Sequence, residues 1–403
     1  MDDQHGGTVS PVPETNITDP SNQAPAVPES GTAAPETPVS PVVAPPTPRS
    51  RRKLFIVVVI IIVLVVAGGA WLLFGKSSKP AAKAATLAPV RIGLSLDSLQ
   101  TARWGVEEGI MQKKAASLGA TLTPYIANSD DATQISQIEN LIAQKVNVII
   151  IVAHDAAAVA PATEDAQKAG IKVIAYDRLM EGDGTTEYIT FNNYKVGVLM
   201  AQNIVSLLPT TLKTANVAFL EGPLTDNNVP QVDNGVLSVL TPLINSGKIK
   251  LVFDQHITNW DPGVAYTTFK ADLATGTRVD AVIGGNDDLA YGAIQALQEV
   301  GQAGKIPVTG QDAELAAVQR LIAGTQTLTV YKPGAELANR AVEDAIALTR
   351  GQKVQTNATE HNLTVGVPSY LFDPIGVTKD NITSTVIKGG TYTTQQVYGT
   401  STK

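Results

Sequence analysis

From Val90 onward, short apolar runs rich in β-branched residues alternate with amphipathic stretches of helical length: VRIGLSL, ARWGVEEGIMQKKAASLG, TLTPYIA, DATQISQIENLIAQK, VNVIIIVA. The alternation continues through KVIAYD, YITFNN, NVAFLEG, KLVFDQH, AVIGGN, IPVTGQD and LTVYK, with helical segments such as KVGVLMAQNIVSLL and LAYGAIQALQEVG between them. Strands that are almost continuously apolar are buried on both faces, and helical crossovers between them make the sheets parallel. So many strands exceed one sheet of ordinary size, and 403 residues exceed one ordinary core. The expected architecture is α/β, with two doubly wound parallel-sheet lobes and a ligand cleft between them.

Ligands of open α/β sheets bind beyond the carboxyl ends of the strands. Those ends carry Asp97, His154 and Asp155, Asp177 and Arg178, Glu221, Gln255, Asn286 and Asp287, Asp312, and Tyr331 with Lys332. Any one of them is as readily a helix cap or a turn residue. Their recurrence at nearly every strand end points instead to a polar binding cleft. Trp104 falls at the start of the helix after the first strand and Trp260 just beyond KLVFDQH, so both are expected at the cleft. An indole face covers the C–H face of a sugar ring, while carboxylates, amides and cations reach the hydroxyls in the ring plane. Core packing is the alternative for each indole.

Several function classes are excluded. A formal charge of −7 and a pI near 5.2 oppose nucleic acid as a partner, because that binding is driven by clustered Lys and Arg. With no cysteine there is no disulfide, thiolate metal site or thiol nucleophile. No HExxH or GxSxG pattern is present, and the histidines at 5, 154, 256 and 361 have no metal-ligand spacing. Strand-end carboxylates serve recognition equally well, since each accepts two hydroxyl hydrogen bonds. No catalytic residue, cofactor or metal is expected.

Ahead of Val90 the composition changes. Residues 1–53 are rich in Pro, Ser and Thr and end in a basic cluster, Arg49, Arg51, Arg52 and Lys53. They hold too few large apolar side chains to offset chain entropy, and a disordered tail is expected. Leu54 to Phe74 is a run of 21 residues without a charge, which as a helix rising about 1.5 Å per residue matches a hydrocarbon core of roughly 30 Å. A transmembrane helix is expected over 54–74 and a flexible stalk over 75–89. The GKS at 75–77 is not a phosphate loop, because Gly69 stands one residue too far from Gly75.

Eight motifs together resemble the pentose-binding, and most closely the D-xylose-binding, proteins of bacterial ABC sugar transporters, which have the type I periplasmic-binding-protein fold. They are RW at 103–104, SQIENLI at 136–142, AYDR at 175–178, DNN at 226–228, NWDP at 259–262, GGNDDLAYGAIQAL at 284–297, GQDAEL at 310–315 and GTQTLTVYKP at 324–333. The resemblance covers about Val90 to Lys388. It implies that Arg103, Asp177, Arg178, Asn228, Asn286, Asp312 and Lys332 hydrogen-bond a sugar on which Trp104 and Trp260 stack. Asp97, His154 and Asn227 are further candidates, at strand ends or in the same triplet. Structural ion pairs, Asp177 with Arg178 or Lys332 with Asp312, are the alternative reading of those charges. At Val229-Pro230-Gln231 the basic residue that follows the asparagine pair in relatives is missing, which bears on the identity of the sugar.

The resemblance further implies three crossings between lobes, near Asn193, Lys332 and Phe372. The N-lobe is expected over 90–192 plus 333–371 and the C-lobe over 193–332 plus 372–395. Repressors that share the fold carry a DNA-binding motif where this chain has its apolar segment. The implied role is a non-enzymatic, single-pass membrane protein with its sugar-binding domain outside the cell membrane and its tail inside. It would capture a monosaccharide, D-xylose or a related pentose, for an ABC permease and its ATPase. The alternative is a tethered sensor read by a histidine kinase or chemoreceptor.

Overall fold

The computed structural model describes residues 58–65 and 88–399. The chain divides into two units, Met1–Ala85 and Thr86–Lys403. In the first, residues 58–65 form helix α1, with every side chain exposed. Among the described residues no helix is long and apolar enough to cross a membrane. The span expected over 54–74 is described only at 58–65; the rest of it, the tail over 1–53 and nearly all of the stalk over 75–89 lie outside the described residues.

The second unit holds two sheets. The first comprises β1 (Arg91–Leu96), β2 (Thr121–Ile126), β3 (Val148–Ile151), β4 (Lys172–Tyr176), β5 (Glu187–Phe191), β11 (Ala358–His361) and β12 (Gly366–Phe372), in the order β11-β12-β5-β4-β3-β1-β2. The second comprises β6 (Ala215–Glu221), β7 (Ile249–His256), β8 (Ala281–Gly284), β9 (Val308–Gln311), β10 (Leu328–Tyr331) and β13 (Ile375–Val377), in the order β13-β10-β9-β8-β6-β7. All pairings are parallel except β11 with β12 and β10 with β13. Position in the sheet explains the composition of each strand. Central β3 reads VIII and is buried throughout, as a strand covered on both faces must be. Edge strand β2 reads TLTPYI and accommodates Pro124, whose missing N–H would break a central ladder.

Helices cover both faces of each sheet. On one face of the first, α2 (Ala102–Ser117) and α10 (Gly334–Thr349) bury Trp104, Met111, Leu337 and Val342 against Leu94, Ile150 and Tyr176. On the other, α3 (Asp131–Ala143) and α4 (Ala160–Lys168) bury Ile138, Leu141 and Ala166 against Ile149 and Val173. The second sheet is covered by α5 (Asn193–Leu207) with α6 (Val229–Asn245) and by α7 (Pro262–Leu273) with α8 (Asp287–Glu299). Helices α5 and α6 touch backbone to backbone: a Cβ on Gly197 would lie 2.0 Å from the Val232 carbonyl oxygen, and one on Gly235 2.1 Å from that of Tyr194. Helices α9 (Leu315–Ala323) and α11 (Thr394–Tyr398) pack with β13 through Val318, Val397 and Val377.

The chain passes between the sheets three times: from β5 to β6 by way of α5, from β10 to β11 by way of α10, and from β12 to β13 across Asp373 and Pro374 alone.

Candidate functional site

Segments that follow the strand ends of both sheets close around one narrow cavity. It is lined by Thr101, Arg103, Trp104, Asp177, Arg178, Asp226, Asn228, Val232, Trp260, Asn286, Gln311, Asp312 and Lys332. All the residues assigned to a sugar by resemblance, from Arg103 to Lys332, meet here.

Arg103 and Trp104 sit in the first turn of α2, which aims them past the end of β1. The Arg103 guanidinium touches three carboxylates: Asp177 through Nη2, Glu107 through Nη1 at 3.0 Å and Asp312 through Nε at 3.3 Å. Lys332 Nζ lies 3.2 Å from the same Asp312 oxygen. Burial alone would push the Asp312 carboxyl up, but Lys332 and Arg103 outweigh it and hold the group below its ordinary range. Burial pulls Lys332 down, against the opposing pull of Asp312. For Arg103, the Glu107 and Asp312 charges overcome burial and raise it further, so the guanidinium is permanently charged.

Asp177 and Asp312 both adopt positive φ, 67° and 94°, a conformation costly for any residue with a Cβ. The surroundings over-determine them. The Asp177 carbonyl accepts from Tyr188 Oη at 2.9 Å, Thr190 Oγ1 at 2.8 Å and Asn228 Nδ2 at 3.0 Å. The Asp312 N–H donates to the Val330 carbonyl at 2.8 Å, and the next N–H, of Ala313, to Thr329 Oγ1 at 2.9 Å. The strain aims both carboxylates into the cavity.

The two indoles differ. Trp104 is only 2% exposed, donates Nε1 to Asp177 Oδ2 at 3.3 Å and lies 4.8 Å from the Arg178 guanidinium, so it is at once cavity wall and lobe core. Trp260 ends a three-residue 3₁₀ turn, Thr258–Trp260, and lies over two glycines. A Cβ on Gly222 would stand 2.2 Å from its ring, and one on Gly285 3.2 Å away. Trp260 Nε1 and Gln311 Oε1 are buried without a protein partner, one a donor and one an acceptor in the cavity wall.

Arg178 is gripped from both sides. Its Nη1 donates to Asp97 Oδ2 and to the Ala153 carbonyl, each at 2.9 Å, and its Nε lies 2.7 Å from Asp226 Oδ2. His154 Nδ1 is 2.9 Å from the other Asp97 oxygen. Burial pushes Asp97 up, but the His154 hydrogen bond and the Arg178 charge outweigh it and leave the carboxyl below its usual range. Asp97 and His154 therefore stand behind the wall and fix Arg178. Asn227 turns away, donating Nδ2 to the Leu179 carbonyl at 2.8 Å. Asn286 caps α8 by accepting from the Leu289 N–H at 2.9 Å, and the rest of its amide faces the cavity.

Thr101, Asp226, Val232 and Gln311 also line the cavity and were not assigned from sequence. Two signals stood in the motifs already quoted: Asp226 opens DNN and Gln311 precedes Asp312 in GQDAEL. In the other direction, Glu221 and Gln255 at the end of their strands and Asp287 at the start of α8 do not reach it. Asp287 instead accepts from Thr329 Oγ1 and Gln326 Nε2, each at 2.7 Å, and burial pushes its carboxyl up to about 7.

Polar contacts cross the cleft throughout. Besides Arg103 with Asp312 and Arg178 with Asp226, Asn228 Nδ2 reaches Asp177 Oδ1 at 3.0 Å and Gln100 Nε2 reaches the Trp260 carbonyl at 3.0 Å. The lobes are thus closed on each other. Such a ring of neutralised donors and acceptors, with two indoles in its wall, can hold a small polyhydroxylated molecule from both lobes at once.

The periplasmic binding protein domain model matches residues 92–353. The D-xylose-binding periplasmic protein of Haemophilus influenzae is 43% identical over 310 residues, covering 77% of this chain and 92% of that protein. Its Escherichia coli counterpart is 42% identical over 308 residues, 76% of this chain and 92% of that one. Among solved structures, an ABC transporter solute-binding protein from Clostridium phytofermentans with bound β-D-glucose superposes with a TM-score of 0.71 at 29% identity, over 76% of this chain and 99% of that one.

Proposed function

Because the chain belongs to the periplasmic binding protein domain family and is a solute-binding protein rather than an enzyme, we propose that its closed cleft captures a monosaccharide, D-xylose before others, for an ABC sugar transporter. The observation that carries the reading is the cavity itself. Arg103, Asp177, Asn228, Asp312 and Lys332 present charge-assisted donors and acceptors from both lobes, in a wall that also holds Trp104 and Trp260. The choice of xylose rests on the 43% identity over nearly the whole of the Haemophilus influenzae protein.

In this reading Asp312, Asp177 and the two asparagines hydrogen-bond the sugar hydroxyls, while Arg103, Arg178 and Lys332 donate to its oxygens. Trp260 covers one face of the ring and Trp104 closes the wall beside Arg178. Trp260 Nε1 and Gln311 Oε1 find in the ligand the partners that the protein does not give them. The lobes 90–192 plus 333–371 and 193–332 plus 372–395 would open by rotation about the three crossings, and the bound sugar would favour the closed form. The uncharged run from Leu54 to Phe74 would tether the protein to the membrane, keeping captured sugar near the permease and its ATPase.

The test is calorimetric titration of the purified chain with xylose, ribose, arabinose, glucose and galactose. Saturable binding of one xylose per chain, with the other sugars weaker, is the expected result. A folded protein that binds none of the five would sink the reading. Release of the full-length chain from membranes by alkaline carbonate would remove the tether.

A further inference from the structure

Away from the cleft, three side chains from three elements converge. Glu221 ends β6, Asp233 lies on α6 and His256 ends β7, and one ligand atom of each lies within 4.8 Å of the others. His256 Nδ1 is 2.8 Å from the Gly222 carbonyl oxygen, and its Nε2 is 2.8 Å from Glu221 Oε2. A carbonyl only accepts, so Nδ1 carries a hydrogen and donates it. That leaves the Nε2 lone pair of a neutral imidazole facing a carboxylate oxygen. Two acceptors approach so closely only around a positive centre, a proton or a metal ion. An imidazole fixed at one nitrogen by a carbonyl, with the other turned toward carboxylates, is how metal-binding histidines are held. Asp254, on β7, adds another carboxylate charge acting on both Glu221 and Asp233.

We propose that Glu221, Asp233 and His256 form a site for one divalent transition-metal ion of the zinc class. One imidazole nitrogen with two carboxylate oxygens suits zinc, cobalt or nickel, whereas calcium and magnesium prefer shells of oxygen alone. Bonds of about 2.0–2.2 Å in a tetrahedral shell set ligand atoms about 3.4 Å apart, so small side-chain rotations of His256 and Asp233 complete the geometry. The His256 side chain is 38% exposed, which gives the ion a route in and leaves a position for water. The ion would brace the turn at Gly222, on which Trp260 rests, against α6, which begins directly after Asn228.

The test is calorimetric titration of the chelator-stripped full-length chain with zinc chloride, beside His256→Ala and Asp233→Asn, with circular dichroism to verify folding. Wild type should bind zinc at this site, each variant should bind it at least about tenfold more weakly, and equimolar calcium or magnesium should not compete. Cobalt added to wild type should give the visible absorption of a low-coordinate nitrogen and oxygen shell, lost in His256→Ala. Identical zinc isotherms for wild type and both folded variants would overturn the proposal. So would the absence of saturable binding by folded wild type, which would leave Glu221 and His256 as an ion pair. None of these readouts uses sugar, so their failure is distinct from failure of the sugar-binding reading.

Discussion

Arg103 Nε stands 3.3 Å from Asp312 Oδ1 across the cleft, although 209 residues separate the two in sequence. Their side chains keep only 11% and 7% of their surface exposed, and Lys332 and Asp177 beside them are buried. Removing that many charges from water costs more than their mutual attraction is sure to return. What the network supplies is preorganisation: each group holds the next in a fixed direction, so a ligand need not reorient them.

Asp312→Asn keeps the shape and removes the charge. It should weaken xylose binding by about 2–4 kcal/mol and lower the melting temperature, because Arg103 and Lys332 lose a common counter-charge. Calorimetry and thermal melts check this; full affinity in the folded variant would remove Asp312 from the site.

Gly222→Ala should impair binding without unfolding the domain. The added Cβ would meet the Trp260 ring at 2.2 Å and Val229 Cγ2 at 2.6 Å, so the indole must leave its place over the turn. The loss should approach that of Trp260→Ala, about 2–4 kcal/mol. A Gly222→Ala protein with wild-type affinity and unchanged tryptophan fluorescence would contradict the indole's assigned position.

Asp226→Asn tests what keeps the lobes shut. Arg178 spans from Asp97 on one lobe to Asp226 on the other, with contacts of 2.9 and 2.7 Å. Weakening the second should shift the sugar-free protein toward an open form with a larger radius of gyration in X-ray scattering. Saturating sugar should restore the compact value. Identical scattering with and without the substitution would assign closure to other contacts.

Glu187 predicts a pH effect. It is fully buried on β5, and neither oxygen has a donor partner. Burial, followed by the neighbouring Asp344 charge, pushes its pKa from an ordinary 4.5 up to about 9. A pKa raised on folding gives a contribution that is complete below the unfolded value and declines as pH rises toward the folded one. Stability should therefore fall between pH 4.5 and about 9, by at most about 1.4 kcal/mol per pH unit for one proton, and Glu187→Gln should flatten the fall. Urea midpoints at pH 5, 7 and 9 decide it: parallel curves for the two proteins would mean that Glu187 is ionised at neutral pH.

The α/β alternation and the two parallel sheets were legible because strands buried on both faces have a compositional signature that survives without tertiary information. Strand-end polarity was less specific. Asp287 and Glu221 share the chemistry of Asp312 but project elsewhere, and only the positive φ at Asp312, invisible in composition, turns its carboxylate into the cavity. Motif resemblance separated them where periodicity could not. The dual role of Trp104 was half legible: its place at the helix start was evident, its burial under Arg178 was not. The convergence of Glu221, Asp233 and His256 left no trace in sequence spacing, because β6, α6 and β7 bring it about in three dimensions.

Strand β12 lies parallel to β5, with Phe372 beside Phe191, and β13 closes the other sheet within a few residues of it. On the ribosome, neither lobe can therefore be finished until nearly the whole chain has been made. A nascent or truncated chain ending before residue 366 would carry the β5 edge of the first sheet and the β10 edge of the second unpaired, each a template for strands of other molecules. Premature termination should thus yield aggregates rather than a working half-receptor, and export of such a chain calls for it to be held unfolded or shielded until its last tenth has arrived.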